Sequence, residues 1–235
     1  KVIVRSNSAP DGWSQNRFKN LIFKFVLRSA DKIIVNSFEF KKKFKTKFKI
    51  HAECIYNPLN KKEIIKKSKI KSKIKFDRKK LKLINIGRYT DQKDQLTLLK
   101  AVNRIKDKIR FNLLLVGRGV EKKNLYKYIH ENNLSKQVKL LDFQKNPFNL
   151  IKSSDVFILS SIYEGLPNVL LESQVLKKFI ISSNCPTGPK EILDNGKGGL
   201  LFEVGNYEQL SRKILIYQKN YKLCLKKKKY VVVKK

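Results

Sequence analysis

The sequence predicts an α/β fold whose main part is a doubly wound parallel sheet, preceded by part of a second, Rossmann-like domain. Short apolar runs of strand length recur through residues 81–218, and segments with helical spacing of apolar residues separate them. Such alternation is typical of parallel sheets with helices on both faces. Glycine, arginine and glutamate residues stand directly after several of the predicted strands, where this class of sheet binds its ligands.

The first 58 residues are predicted to alternate in the same way. Residues 2–5, 31–37 and 53–58 are apolar enough for strands, and residues 18–26 and 38–48 have helical spacing. The chain lacks methionine and begins within the first predicted strand, so we interpret it as truncated at its N-terminus. Residues 59–80 have little apolar periodicity and are predicted to be an interdomain linker.

Residues 81–218 are predicted to form the main domain, and residues 219–235 a disordered basic tail. The strands of the main domain are expected at residues 81–86, 111–116, 138–141, 156–160, 179–182 and 199–202. Its helices are expected at residues 95–106, 121–132, 147–153, 168–177, 189–194 and 207–218.

Composition limits the classes of function. The cysteines, Cys54, Cys185 and Cys224, are odd in number and widely spaced, which favours a reducing compartment without disulfides or structural zinc. No apolar run approaches the roughly 18 residues that a membrane span needs. With a reducing compartment, the predicted location is cytoplasmic, with a peripheral position on the inner face of the cell membrane as a further expectation. The net charge is +35, but only nine basic residues are arginine. Proteins that read nucleic acids favour arginine, so a bias toward lysine, combined with attraction to a membrane surface, explains the charge better.

Two glutamates bracket the most informative motif. Glu164 and Glu172 enclose the run Gly-Leu-Pro-Asn-Val-Leu-Leu directly after a predicted strand. Gly165 permits a tight turn close to a ligand, and Pro167 suits the first position of a helix. Eight residues at 3.6 per turn return near the same helix face. Both carboxylates are therefore expected beside a helix N-terminus that can bind an anion. The alternative is a loop glutamate and a solvated helix face.

Two further loops follow strands. Gly87 permits a sharp exit from the first strand of the main domain, and Arg88 and Lys93 can then converge on one anion such as a diphosphate. Two solvated loop cations are the alternative, which is weaker for Arg88 because arginine is scarce. In the loop of residues 184–191, Gly188 shapes a turn before a helix, and Cys185 is expected to be a small buried residue.

Together these motifs resemble the retaining family 4 glycosyltransferases (glycosyl transferases group 1), which have the GT-B fold. The resemblance covers residues 81–218 well. Residues 1–58, with Arg5-Ser6-Asn7 and Val35-Asn36-Ser37, resemble the second half of that family's N-terminal acceptor domain.

The resemblance implies roles for the site residues. Arg88 and Lys93 would bind the donor diphosphate, and Glu164 would contact the donor sugar; these are the predicted catalytic residues. Glu172 would bind the ribose hydroxyls, and the loop from Phe143 to Pro147 would lie near the base. The other predicted substrate-binding residues are Gly87, Gly165, Leu166, Pro167, Asn168, Gly188 and Glu191.

The resemblance also implies an activity. The enzyme would move a hexose or N-acetylhexosamine from a nucleotide-diphosphate sugar, with UDP favoured, to a glycan or polyprenyl-linked acceptor in surface polysaccharide or lipopolysaccharide biosynthesis. No cofactor is expected, and no metal, because no Asp-x-Asp pair ends a strand.

Other classes of function stay open. The family's glycine-rich loop and active-site histidine are missing, so a non-catalytic fragment that binds nucleotide sugars is an alternative. A basic nucleic-acid-binding protein is less favoured, since no helix-turn-helix or RNP pattern occurs. A nicotinamide-dependent oxidoreductase would need a GxGxxG, and the chain has only Gly117-Arg118-Gly119.

A possible membrane contact lies near the N-terminus. Arg17, Lys19, Lys24 and Arg28 surround the apolar residues between Phe18 and Val26. A basic amphipathic helix of this kind can lie on an anionic bilayer, which suits a lipid-linked acceptor. The alternative is a core helix of the acceptor domain.

Overall fold

The structure, a computed structural model, describes residues 1–7, 17–74, 76–77, 79–220 and 224. The predicted basic tail lies outside the described residues except at Lys219, Asn220 and Cys224. The described residues form two parallel sheets, each with helices packed on it.

The first sheet unit comprises residues 1–7 and 17–58, and its three parallel strands lie in the order β1-β2-β3. A row of buried phenylalanines, Phe40, Phe44 and Phe48, packs edge to face beneath the sheet. Its elements are β1 (Ile3–Ser6), α1 (Arg17–Arg28), β2 (Lys32–Val35), α2 (Phe38–Lys43), a π-helical turn (Phe44–Phe48) and β3 (Glu53–Cys54).

The second sheet unit comprises the described residues from 81 to 220, and its six parallel strands lie in the order β6-β5-β4-β7-β8-β9. Its strands are β4 (Leu81–Ile86), β5 (Phe111–Val116), β6 (Val138–Leu141), β7 (Val156–Leu159), β8 (Phe179–Ser183) and β9 (Leu200–Phe202). Its helices, after α3 (Lys61–Ser68), are α4 (Gln95–Asn103), α5 (Lys122–Glu131), α6 (Phe148–Ser153), α7 (Asn168–Val175), α8 (Pro189–Ile192) and α9 (Tyr207–Lys219).

Both faces of the second sheet are buried, which explains the continuous apolar runs of its strands. On one face, Leu83, Leu113 and Ile158 pack with α4, α5 and α9. On the other face, Ile84 and Phe157 pack with α6, α7 and α8. The strand order turns back at β4, whose neighbours are β5 and β7, so a crevice opens at the carboxyl ends of β4 and β7.

Some predicted bounds differ in the structure: β3 ends at Cys54 and not at residue 58, and α8 ends at Ile192 and not at residue 194. Residues 59–80, expected to be a linker, contain helix α3, which begins after the Asn60 cap and packs against α6 and α7. Ile64 is buried in the core between these helices, and the Asn146 side chain donates a hydrogen bond to the Lys67 carbonyl. The sequence did not predict this helix, because Ile64 is its only buried residue with an apolar side chain and one such residue gives no helical periodicity. The predicted α/β class and the parallel sheets are confirmed, while the division into domains stays a prediction.

Candidate active site

A buried ion pair lies at the carboxyl ends of β4 and β7. Lys93 Nζ is 2.5 Å from Glu164 Oε1, and the two side chains are 16% and 8% exposed. Glu164 also accepts a hydrogen bond of 2.6 Å from Ser161 Oγ. Lys93 itself is held in place because its carbonyl accepts a hydrogen bond from Ser160 Oγ, 2.9 Å away. The structure thus brings together two of the three predicted catalytic residues, which are far apart in sequence.

Arg88 lies on the same loop but is held loosely. It is exposed, and its Nη2 is 3.5 Å from Gln92 Oε1, at the limit of a hydrogen bond. Gln92 in turn donates a 2.9 Å hydrogen bond to the Tyr163 carbonyl, next to Glu164. The guanidinium is therefore near the ion pair and accessible to a ligand.

The loop between Glu164 and α7 passes very close to the first sheet unit. A Cβ atom on Gly165 would lie 2.0 Å from the Asn7 carbonyl oxygen, so only glycine fits there. The Asn168 side chain accepts a 2.8 Å hydrogen bond from Asn57, and Arg5 donates a 2.9 Å bond to Asn57. Glycine at residue 165 therefore permits the predicted turn and also the close approach of the two sheet units.

Residues Thr187 and Gly188 support this loop from the side of β8. Thr187 Oγ1 donates a 2.5 Å hydrogen bond to the Glu164 carbonyl. Gly188 has a φ of 86°, and a Cβ atom there would lie 2.3 Å from the Gly165 carbonyl oxygen and 2.7 Å from Pro167 Cδ. A side chain at residue 188 would therefore displace the loop that carries Glu164.

Helix α7 begins at the predicted residue but ends two residues earlier, at Val175, and Pro167 lies outside its first position. Pro167 precedes the helix as an extended N-cap residue, and Asn168 is the first helical residue. A proline offers no N–H, so the free amides of this helix end belong to residues after Pro167. Leu166, predicted to bind substrate, is buried in the core beneath the helix.

Glu172 lies on α7 and is partly buried. Burial alone raises the pKa of its carboxyl group above the usual value of 4.5. Its carboxylate forms no hydrogen bond or ion pair with any residue within the described ranges. A partly buried carboxylate without a protein partner is available to accept hydrogen bonds from a ligand.

Phe143 follows β6, at the same carboxyl-terminal edge of the sheet as the Lys93–Glu164 pair. Its ring is exposed, and the Arg118 guanidinium lies 5.4 Å from the ring centroid. A flat aromatic ring beside a cation can stack with a heteroaromatic base. Gly87 directly follows β4, which ends at Ile86, and precedes Arg88.

Glu191 is placed differently from the other predicted site residues. Its carboxylate accepts hydrogen bonds from the backbone N–H groups of Phe38 (3.2 Å) and Glu39 (3.0 Å) and from the Tyr56 hydroxyl. Both oxygens are therefore engaged with the first sheet unit. Burial and this bond raise the pKa of Tyr56.

Several site residues were not predicted. Ser161, Gln92 and Thr187 hold Glu164 or its loop, yet serine, glutamine and threonine are common in loops and carried no distinguishing signal. Cys185 is buried as expected, and burial raises its pKa to about 12. Among the residues that the structure describes, no three His, Cys, Asp or Glu side chains are grouped to hold a metal ion.

Comparison with known proteins identifies the family. Residues 66–231 match the family described as Glycosyl transferases group 1. An uncharacterized glycosyltransferase of Methanocaldococcus jannaschii is 37% identical over 180 residues, which cover 74% of this chain and 44% of that protein.

A second relative has a named activity. The N-acetylgalactosamine-N,N'-diacetylbacillosaminyl-diphospho-undecaprenol 4-alpha-N-acetylgalactosaminyltransferase of Campylobacter jejuni is 29% identical over 216 residues, covering 88% of this chain and 57% of that protein. Other relatives are glycosyltransferases of amylovoran and lipopolysaccharide core biosynthesis. The chain spans about half the length of the curated relatives it matches.

Solved structures agree on the fold. Staphylococcus aureus TarM in complex with UDP has a TM-score of 0.80 at 17% identity, covering 97% of this chain and 45% of that chain. Anabaena HepE in complex with UDP and glucose has a TM-score of 0.79 at 19% identity, covering 96% of this chain and 64% of that chain. The fold is therefore GT-B. With its parallel sheets, its strand-end loops and the match over residues 66–231, this chain belongs to the glycosyl transferases group 1 family.

Proposed function

We propose that the chain forms the donor-binding part of a retaining glycosyltransferase that moves a hexose or N-acetylhexosamine from a UDP-sugar. The acceptor would be a glycan or a polyprenyl-linked glycan in surface polysaccharide biosynthesis. The observation that carries the proposal is the buried Lys93–Glu164 pair, with Arg88 beside it and the start of α7 behind it. Lys93 and Glu164 supply, side by side, a cation for a phosphate and an acceptor for sugar hydroxyls.

Arg88 and Lys93 are assigned to the diphosphate. Lys93 donates to Glu164 but has two further N–H groups for an anion. Arg88 is loosely held and can turn its planar fork onto a phosphate. Departure of UDP builds negative charge on the diphosphate, and fixed cations next to a helix N-terminus would stabilise that charge. We propose that this arrangement needs no divalent ion.

Glu164 and Glu172 are assigned to the sugar and the ribose. Glu164 is oriented by Ser161 and Lys93, which leaves its second oxygen for a donor-sugar hydroxyl. The Glu172 carboxylate is without a protein partner in the described chain, so it can accept hydrogen bonds from both ribose hydroxyls. Phe143 would lie against the base, next to Arg118.

The reaction would proceed with retention at the anomeric carbon. The bond from that carbon to the diphosphate oxygen breaks through an oxocarbenium-like state. The acceptor hydroxyl attacks from the same face, and its proton passes to the departing phosphate oxygen. This step needs the acceptor between the two sheet units, beside the Gly165 loop.

Two relatives support a lipid-linked acceptor, because their names include diphospho-undecaprenol substrates. Every helix within the described ranges is too short or too polar to span a lipid bilayer. We propose that the protein works at the cytoplasmic face of the cell membrane and meets anionic lipid through α1. Six apolar side chains of this helix are exposed: Phe18, Leu21, Ile22, Phe23, Phe25 and Val26. Nucleic acid is not a proposed partner.

Calorimetry on the intact chain tests the donor site. UDP should bind more tightly than GDP, and Arg88→Ala or Glu172→Ala should each weaken UDP binding by about tenfold or more, as expected for a lost charge-assisted hydrogen bond. Arg104→Ala is the matched control, because Arg104 pairs with Glu208 on the surface. If neither Arg88→Ala nor Glu172→Ala changes the affinity, the assignment of the site is wrong.

A further inference from the structure

Two glutamates join the sheet units through crossed hydrogen bonds. Glu191, on α8, accepts the N–H groups of Phe38 and Glu39, the first two residues of α2. Glu39, on α2, accepts the N–H of Gly188, the residue before α8, at 3.2 Å. Each carboxylate thus binds backbone amides at the start of the other's helix. Carboxylates are favourable at helix N-termini because they meet free N–H groups and the positive end of the dipole.

The arrangement places the carboxylates of Glu39 and Glu191 close together, so their negative charges repel each other. Burial and the neighbouring Glu191 both raise the pKa of Glu39, while Lys190 and Lys43 lower it. A pair of partly buried like charges persists only where other contacts compensate. Here the compensation comes from backbone amides, from the Tyr56 hydroxyl on Glu191 and from the two lysines.

Gly188, which donates its N–H to Glu39, supports the loop between Glu164 and α7. Gly188 packs so closely on Gly165 and Pro167 that a single added Cβ atom would lie within 2.7 Å of both. Gly165 in turn packs against the Asn7 carbonyl. A continuous chain of contacts therefore runs from Glu39 through Gly188 to the loop between Glu164 and α7.

We infer that Glu39 and Glu191 act as positioning residues, forming a clamp between the sheet units that holds the loop of residues 164–168 in place for the donor. This inference rests on the proposed function of that loop. It gives Glu191 a role different from the donor contact that the family resemblance implies. In this role neither glutamate touches the nucleotide sugar, and Glu39 acts through Gly188.

Hydrogen exchange on the intact, unliganded chain tests the clamp without any ligand. In Glu39→Ala, amides in peptides covering residues 161–172 and 186–192 should exchange about tenfold faster, because their support is lost by local opening. Glu39→Gln keeps an oxygen that can accept from Gly188 and should restore slow exchange. Glu131→Ala, a surface glutamate on α5 paired only with exposed Lys127 in the described chain, should change nothing.

Nucleotide affinity then separates the clamp from the site itself. Glu39→Ala should weaken UDP binding by about tenfold, and Glu39→Gln should bind within about threefold of the parent chain. The clamp is refuted by unchanged exchange in these two peptides, by faster exchange that extends equally to the core strand β5, or by faster loop exchange with unchanged UDP affinity. If the parent chain binds neither UDP nor GDP, the proposed function fails, while the exchange result still decides whether the clamp holds the loop.

Discussion

At the scale of single residues, burial decides what an ion pair contributes. Lys93–Glu164 and Lys122–Asp142 have the same N–O distance of 2.5 Å. The first pair is 16% and 8% exposed, and the second is 45% and 74% exposed. Removing one partner of a buried pair leaves an uncompensated charge, whereas water replaces the lost partner of an exposed pair.

We therefore expect Lys93→Ala to lower the free energy of unfolding by about 3 kcal/mol, as for other broken buried pairs. Lys122→Ala should lower it by less than about 1 kcal/mol, as for exposed pairs. Urea unfolding of the two variants, followed by circular dichroism, measures both values. Equal losses for the two lysines would contradict the assignment of Glu164 to a desolvated site.

Glu172 should make the stability of the folded chain depend on pH. Its raised pKa means that the folded chain holds this proton more tightly than the unfolded chain does. Its charged form therefore disfavours folding above the folded pKa, and this cost disappears as the pH falls toward 4.5. We expect Glu172→Gln to raise the melting temperature of the unliganded chain at pH 7.

This gain should shrink as the pH is lowered from 7 toward 5, and UDP binding should weaken at the same time. Thermal unfolding across this range, with and without UDP, measures both effects. Glu203→Gln, a change to an exposed glutamate after β9, is the control. A gain that grows on acidification would show that burial does not raise this pKa.

At the scale of elements, α3 shows how little sequence signal a packed helix needs. It has a capping Asn60 and a Glu63–Lys67 pair, but one isoleucine carries its packing. Ile64 is 4% exposed and its neighbour Ile65 is 45% exposed. The helix thus belongs to the core of the second sheet unit in the structure, although its composition is typical of a linker.

Ile64→Ala should lower the free energy of unfolding by about 2–4 kcal/mol, through lost burial and the cavity left behind. Ile65→Ala should lower it by less than about 1 kcal/mol, because it removes a half-exposed side chain. Chemical denaturation of the two variants compares them directly. If both changes were neutral, the packing of α3 through Ile64 would contribute nothing to stability.

At the scale of the whole molecule, charge and exposed apolar surface meet on α1. The net charge of +35 attracts the chain to any anionic surface. Leu27 faces the core of the first sheet unit, while Phe25, on the other side of the helix, is 78% exposed. An apolar stripe flanked by lysine and arginine suits the boundary of an anionic bilayer.

We expect the chain to sediment with vesicles containing phosphatidylglycerol at low salt, and to be released as salt screens the attraction. Phe25→Ser should weaken this binding. Val120→Ser, which changes an apolar residue that is 82% exposed elsewhere on the surface, should not. Absence of binding to anionic vesicles at low salt, or equal binding by all three chains, would contradict a membrane contact through α1.

The sequence by itself determined the α/β class, the positions of all six strands of the second unit to within a residue at each end, and the loops that carry Arg88, Lys93 and Glu164. These features follow from local signals, namely apolar periodicity and glycine or proline turns. The tertiary structure alone decided which residues meet. It paired Lys93 with Glu164, placed Asn7 against Gly165, directed Glu191 to α2 and packed α3 through Ile64. Such contacts join residues far apart in the chain, so they depend on how the two sheets pack, which no local pattern records.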